Sequence, residues 1–297
     1  MSAFVRSFCR LSSDYFFVID KTCVCVYNYR KEMSMKNTGR KLCSIVLFLA
    51  LFAAGSFSCF AQSATGPGML TAAVKALSGI EIPGDAEVFL LVDSNHEETN
   101  ATGTLSAYVR TVTFDAAGAA PVSTGAWTLA VAPAKAVMGR KGMGKGKEGD
   151  EKTPLGMFRM DTPFGICPAE EGFPNDYLQV GPQHYWSGDQ TDRKVLSADG
   201  KTSSVENTYN HLVDINRVPG LDKARSEHLS DITAEYRYCL NIGCNPECVK
   251  GKGSALFLHC INYASGRGTG GCVAVDEQIM KQILRLYKPG HTYILIR

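Results

Sequence analysis

The chain is 297 residues long, with 31 Lys and Arg against 29 Asp and Glu, and 45% of its residues are hydrophobic. Eight of the basic and three of the acidic residues lie in the first 61, so residues 62–297 carry 23 basic against 26 acidic side chains, a net of −3. That balance excludes a phosphate-tracking surface, and with it nucleic acid as a partner. The 236 residues from 62 to 297 are enough to bury one full core.

The front end reads as a leader. Lys36, Arg40 and Lys41 form a positive region, an apolar run from Leu42 to Ala54 follows, and small residues lead to Ala61. This is the layout of a secretory signal peptide over residues 35–61, with an apolar run too short for a stable membrane span. Because 34 residues precede Met35, translation is expected to start at Met33 or Met35, with residues 1–34 an upstream extension from a misassigned start. Cleavage after Ala61 is expected to leave an exported protein in the periplasm or cell envelope. A lipid anchor on Cys59 would want Leu where the chain has Ser56.

Residues 62–84, rich in Gly and Pro, read as a linker with a short helix over Leu70–Leu77, and residues 85–297 as the folded domain. Strand-type runs follow at 87–93, 106–114 and 126–132, and later at 211–215, 235–242, 254–261 and 291–297, bounded by Asn, Gly and Pro clusters. One helix is expected after Asp276, with Ile279, Ile283 and Leu286 on one face and Lys288-Pro289-Gly290 as its stop. Strands outnumber helices too strongly for a doubly wound sheet, so the expected class is mainly β. The glycine-rich segment 139–154 mimics phosphate loops, but the charged run before Pro154 makes the helix such loops require implausible.

Six cysteines lie beyond residue 61: Cys167, Cys239, Cys244, Cys248, Cys260 and Cys272. Export permits disulfides. Cys239, Cys244, Cys248 and Cys260 lack a metal-knuckle spacing, so disulfides within this group are expected, either two or one beside buried thiols. Cys167 reads as a loop thiol. His228 and His259 with a carboxylate form an alternative zinc set, since ligands need only converge in space.

The stretch from His259 to Cys272 holds four glycines between an imidazole and a thiol. A thiolate is the working nucleophile of such a pair, and a neighbouring imidazole activates it. Gly270 and Gly271 permit positive φ and allow the amides of Gly271 and Cys272 to converge on one oxyanion. If His259 faces a site, strand alternation turns Cys260 to the core. A core histidine beside a buried thiol is the reading without chemistry.

"FLHC" (257–260) and "TGGCVAV" (269–275) resemble the signature of the L,D-transpeptidase catalytic domain family, a histidine followed after a short gap by Ser/Thr-x-Gly-Cys. "GDEKTPLGMF" (149–158), "YNHLV" (209–213), "SEHL" (226–229) and "GKGSALFLHC" (251–260) extend the resemblance over roughly residues 85–297. It implies a mainly β, sandwich-like catalytic domain with a few short helices and neither metal nor organic cofactor. Cys272 would be the nucleophile, His259 the base, and the backbone around Gly271 the oxyanion site. The substrate would be a peptidoglycan stem peptide, cut before its terminal D-alanine and passed to an amine, or to water in a carboxypeptidase. The chain departs from many members, which have His and Arg where Gly270 and Ala274 stand. Arg267, Arg140, Glu227 or His228 would then hold the substrate carboxylate. Tyr209, Asn210, Thr269, Gly270 and Trp186 are the remaining candidates to line the groove. A zinc peptidase and a wall-binding module without catalysis are the readings outside this chemistry.

Overall fold

The computed structural model describes residues 75–118 and 120–297, and the backbone of three strands nearer the N-terminus. The chain divides into two units, residues 1–61 and 62–297. In the first, β1 (Ser7–Arg10), β2 (Tyr15–Asp20) and β3 (Cys23–Asn28) pair antiparallel in that order. The apolar run at 42–54, expected to be the heart of a signal peptide, lies outside the described residues. Among the described residues no helix is long and apolar enough to cross a membrane.

The second unit is built of strands. Its first half holds β4 (Val88–Ser94), β5 (Thr102–Val109), β6 (Val112–Phe114), β7 (Pro121–Thr124), β8 (Thr128–Val137), β9 (Gly156–Gly165) and β10 (Leu178–Gln179). Then come β11 (His184–Trp186), β12 (Arg193–Leu196), β13 (Ser203–Glu206), β14 (Leu212–Asp214) and β15 (Glu227–His228). The chain finishes with β16 (Cys239–Ile242), β17 (Phe257–Cys260), β18 (Val273–Val275), helix α1 (Glu277–Leu286) and β19 (Thr292–Ile296). Nine strands form one sheet in the order β10-β9-β16-β17-β18-β8-β5-β4-β19, and β19 pairs with β9 as well as β4. The mainly β expectation holds, and the sheet closes on itself.

Closure gives every long strand an inner and an outer face, and the period-2 alternation of apolar residues fills the inside. Leu90, Leu105, Met160, Leu240, Leu258, Cys260, Val273, Val275 and Ile294 belong to one buried cluster. Helix α1 adds Met280, Ile283 and Leu284 to it. Asp276 caps the helix by accepting from the Gln278 amide at 2.9 Å, satisfying one of its orphan donors. On the outside of β9, β16 and β17, a second cluster of Phe164, Trp186, Leu229, Tyr236, Cys239, Phe257 and Cys272 forms under the small sheet β14-β11-β15. The site lies at this outer cluster.

Two expectations fail for physical reasons. The long strand β9 lies outside the expected strand runs, and it contains Pro163, which cannot donate to a ladder. The structure accommodates it by a bulge at Thr162 (φ 47°), where Asp161 pairs with Asn241 and Pro163 with Leu240. The expected disulfides are also absent, all six described cysteines being free thiols. Cys239 is paired in register with His259 and so faces outward, whereas Cys260 faces the inner core. Adjacent strands thus present these sulfurs to opposite sides of one sheet. Cys244 packs against the inner core, and Cys248 turns its sulfur toward His211 Nε2 at 3.7 Å.

Candidate active site

β17 and β18 run parallel, with Leu258 opposite Val273 and His259 opposite Ala274. Alternation turns Leu258, Cys260, Val273 and Val275 inward, and leaves Phe257, His259, Cys272 and Ala274 on the outer face. His259 and Cys272 therefore come together because neighbouring strands share a face, whatever the glycine loop between them does. Both line one cavity of about 720 Å³, with Arg140, Lys145, Glu227, Glu235, Tyr236, Arg267, Thr269 and Gly270 also on its wall.

Cys272 is 6% exposed and His259 5%, so neither meets bulk water. The Cys272 sulfur accepts from the Phe257 amide at 3.3 Å and donates to the Ala255 carbonyl at 3.5 Å. Burial pushes this thiol up to about 12; the Phe257 amide pulls it back, the Glu227 charge raises it, and Lys145 lowers it. Its resting form is the neutral thiol, pointed at Ala255, with no hydrogen bond to His259 among the described residues. His259 Nδ1 lies 2.8 Å from the Cys260 carbonyl. A carbonyl only accepts, so Nδ1 carries the proton and Nε2 keeps a lone pair. Burial holds the imidazole below its ordinary range, partly offset by the Cys260 carbonyl and the Glu235 charge, so the ring is neutral near pH 7. A neutral imidazole with a fixed tautomer and a buried thiol on the same wall can form a thiolate–imidazolium pair once the thiol rotates from Ala255.

Of the two glycines that permit positive φ, only Gly271 adopts it, at +132°. A Cβ there would sit 2.9 Å from the Lys152 carbonyl and 3.0 Å from Leu256 Cδ2, whereas at Gly270 it would meet only Arg140 Nη2, at 3.6 Å. Gly271→Ala should therefore cost about 1–3 kcal/mol of stability, while Gly270→Ala should melt close to the parent; thermal denaturation of the two variants measures the difference. Around the turn, the Gly271 amide donates to Thr269 Oγ1 at 3.1 Å, and the Thr269 hydroxyl donates to the Cys272 carbonyl at 2.6 Å. Thr153 donates to the same carbonyl at 3.2 Å. The Cys272 amide has no acceptor among the described residues, and neither has that of Gly270, so both are free donors of the turn.

The remaining sequence candidates divide. Arg267, Thr269 and Gly270 line the cavity; Tyr209, Asn210, His228 and Trp186 do not. Tyr209 is fully buried, with its hydroxyl donating to Glu148 at 2.9 Å. Asn210, at φ 60°, accepts from the Trp186 indole at 2.9 Å and from the Ala255 amide at 3.3 Å. Asn210 thus supports Ala255 from below, and Tyr209 braces Glu148, rather than either lining the groove. His228 stacks on Tyr185 at 4.4 Å and pairs with Asp231 at 2.9 Å. Its neighbour Glu227 lines the cavity instead, with the wrong sign to hold a carboxylate. The proposed zinc pair is thus separated, and no group of three metal-binding side chains occurs among the described residues. The 139–154 segment opens no helix but forms cavity wall: Asp150 accepts from Lys145 and from the Gly146 and Lys147 amides, folding the loop so that Arg140, Lys145 and Glu148 line it. Arg140 Nε also donates to the Thr269 carbonyl at 3.3 Å. Tyr236, whose ring stands 5.7 Å from His259, escaped sequence reading because its segment looked like plain strand.

The sequence profile of the YkuD family, the L,D-transpeptidase catalytic domain, matches residues 108–296. No curated protein and no solved structure matches the chain.

Proposed function

The chain belongs to the L,D-transpeptidase catalytic domain family and is an enzyme of that type acting on peptidoglycan, and on that premise we propose that it is an exported cysteine enzyme working through a Cys272 thioester with His259 as base. The observation that carries this is the placement, on the wall of one cavity, of the Cys272 thiol and an imidazole whose Nε2 keeps its lone pair. His259 Nε2 takes the thiol proton as the sulfur attacks the carbonyl before the terminal D-alanine. The developing oxyanion draws on the Cys272 amide, and on the Gly271 amide if it exchanges Thr269 for the oxyanion. Collapse breaks the C–N bond, and His259 returns the proton to the leaving amine. The absent His and Arg of other members are answered by Arg140, whose guanidinium stands beside Gly270, and by Arg267 on the same wall. These cations suit the carboxylate of the substrate's D-alanine.

Export rests on the leader-like residues 35–61. A defined disaccharide tetrapeptide incubated with the protein should lose the mass of D-alanine while the enzyme gains the acyl group, and the reaction should survive a chelator but not a thiol alkylator. Loss of activity to the chelator alone would replace this mechanism with the zinc reading.

A further inference from the structure

We infer that Glu227, held by Tyr236 on the cavity wall, is the specificity-determining residue that recognises the incoming acceptor as an ammonium group, making the second half-reaction transfer to a primary amine rather than hydrolysis. The inference rests on the thioester reading above and deepens it.

Glu227 Oε2 accepts from the Tyr236 hydroxyl at 3.0 Å, and no Lys, Arg or His pairs with this carboxylate among the described residues. Glu235 and Glu148 on the same wall also accept neutral hydrogen bonds, from Asn262 at 2.8 Å and from Tyr209 at 2.9 Å, and what sets Glu227 apart is its bond to Tyr236, the ring that stands against His259. Tyr236 itself packs edge-on against Phe257 and His259, which ties Glu227 to the strand that carries the base. A largely desolvated carboxylate without a cation is expensive to keep, and burial accordingly raises Glu227 to about 7, against the Tyr236 hydrogen bond. Its charge also opposes the Cys272 thiolate, so it works against acylation. A group that costs stability and hinders the first step is explained if the second step needs it. Of the wall's cations, Arg140 and Lys145 sit on the 139–154 segment, Arg267 is close to Thr269 in the chain and Lys135 is on β8, whereas Glu227 enters from β15, so donor carboxylate and acceptor ammonium have separate partners.

The proton count closes. One ammonium proton passes to His259 Nε2, and the freed lone pair forms the new C–N bond. The C–S bond breaks with its electron pair returning to Cys272, which regains a proton from His259. The second nitrogen proton leaves through Glu227 to solvent.

The test separates the two half-reactions in the purified protein, with a carbapenem reporting acylation of Cys272 and a disaccharide tetrapeptide plus glycinamide reporting transfer against hydrolysis. Glu227→Gln should raise the KM for glycinamide about tenfold or more, the value of one charge-assisted hydrogen bond, and shift product toward hydrolysis. The same change should speed carbapenem acylation, because a charge opposing the thiolate is gone. Tyr236→Phe, which keeps the ring packing, should raise the amine KM by a smaller factor. A purely structural Glu227 would slow both half-reactions together, and that result, or an unchanged amine KM, overturns the inference. Hydrolysis alone by the unmodified enzyme at saturating glycinamide overturns it too. No acylation of the unmodified protein by either reagent would instead overturn the thioester reading beneath it.

Discussion

Cys272→Ser should lose the acyl-enzyme, with acylation by a carbapenem falling by about 10⁴ or more, as expected when a nucleophile acting in concert with its base is removed. The fold should survive, because serine is the smaller isostere and its hydroxyl can still donate to the Ala255 carbonyl that the thiol now faces at 3.5 Å. Intact mass should show one added inhibitor on the unmodified protein and none on the variant, and peptide mapping should place the adduct on Cys272. The five other free thiols among the described residues provide an internal control. Burial raises Cys239 well above the ordinary thiol value and Cys260 to about 12, and Cys260 faces the inner core, away from His259. An adduct on any of them, or full reactivity in the variant, would refute the assignment.

His259→Gln should slow the same acylation by about 10²–10⁴ at neutral pH. Burial raises the thiol well above its ordinary value, so little thiolate forms unaided at pH 7 and the base accounts for the reactivity. The pH profile distinguishes loss of the base from a general disturbance. A base works when unprotonated, so the parent rate should fall as pH drops through the His259 value. Burial holds that value below the ordinary imidazole range, so the acid limb should lie on the acid side of a free histidine. In the glutamine variant that limb should vanish, and the rate should climb continuously with pH as the thiol ionises unaided. Stopped-flow acylation across pH measures both curves; an unchanged acid limb in the variant would mean that another group is the base.

Much of this site could be seen before any coordinates. The order histidine, glycine-rich turn, cysteine, joined to the family resemblance, marked His259 and Cys272 as the candidate pair, and the alternation of "FLHC" placed His259 and Cys260 on opposite faces because a strand has a period of two. The mainly β class followed from runs of Val, Ile, Tyr and Phe between turn residues. Those are local properties, set by a few consecutive side chains.

What only the tertiary structure decided depends on residues far apart in the chain. Closure of the sheet needs β19 to pair with both β4 and β9, a relation between positions 292–296, 88–92 and 156–159 that no local pattern encodes. Local composition misread β9, since a bulge at Thr162 makes Pro163 harmless only when Leu240 lies opposite. The four cysteines near the site looked like disulfide partners by spacing, yet the closed sheet sends Cys239 outward and Cys260 inward. Likewise "SEHL" offered two polar neighbours with equal claim, and the direction of β15 admits Glu227 to the cavity while turning His228 onto Tyr185. A strand pattern says that adjacent residues face apart; which of them faces the chemistry is decided by what the rest of the chain packs on each side.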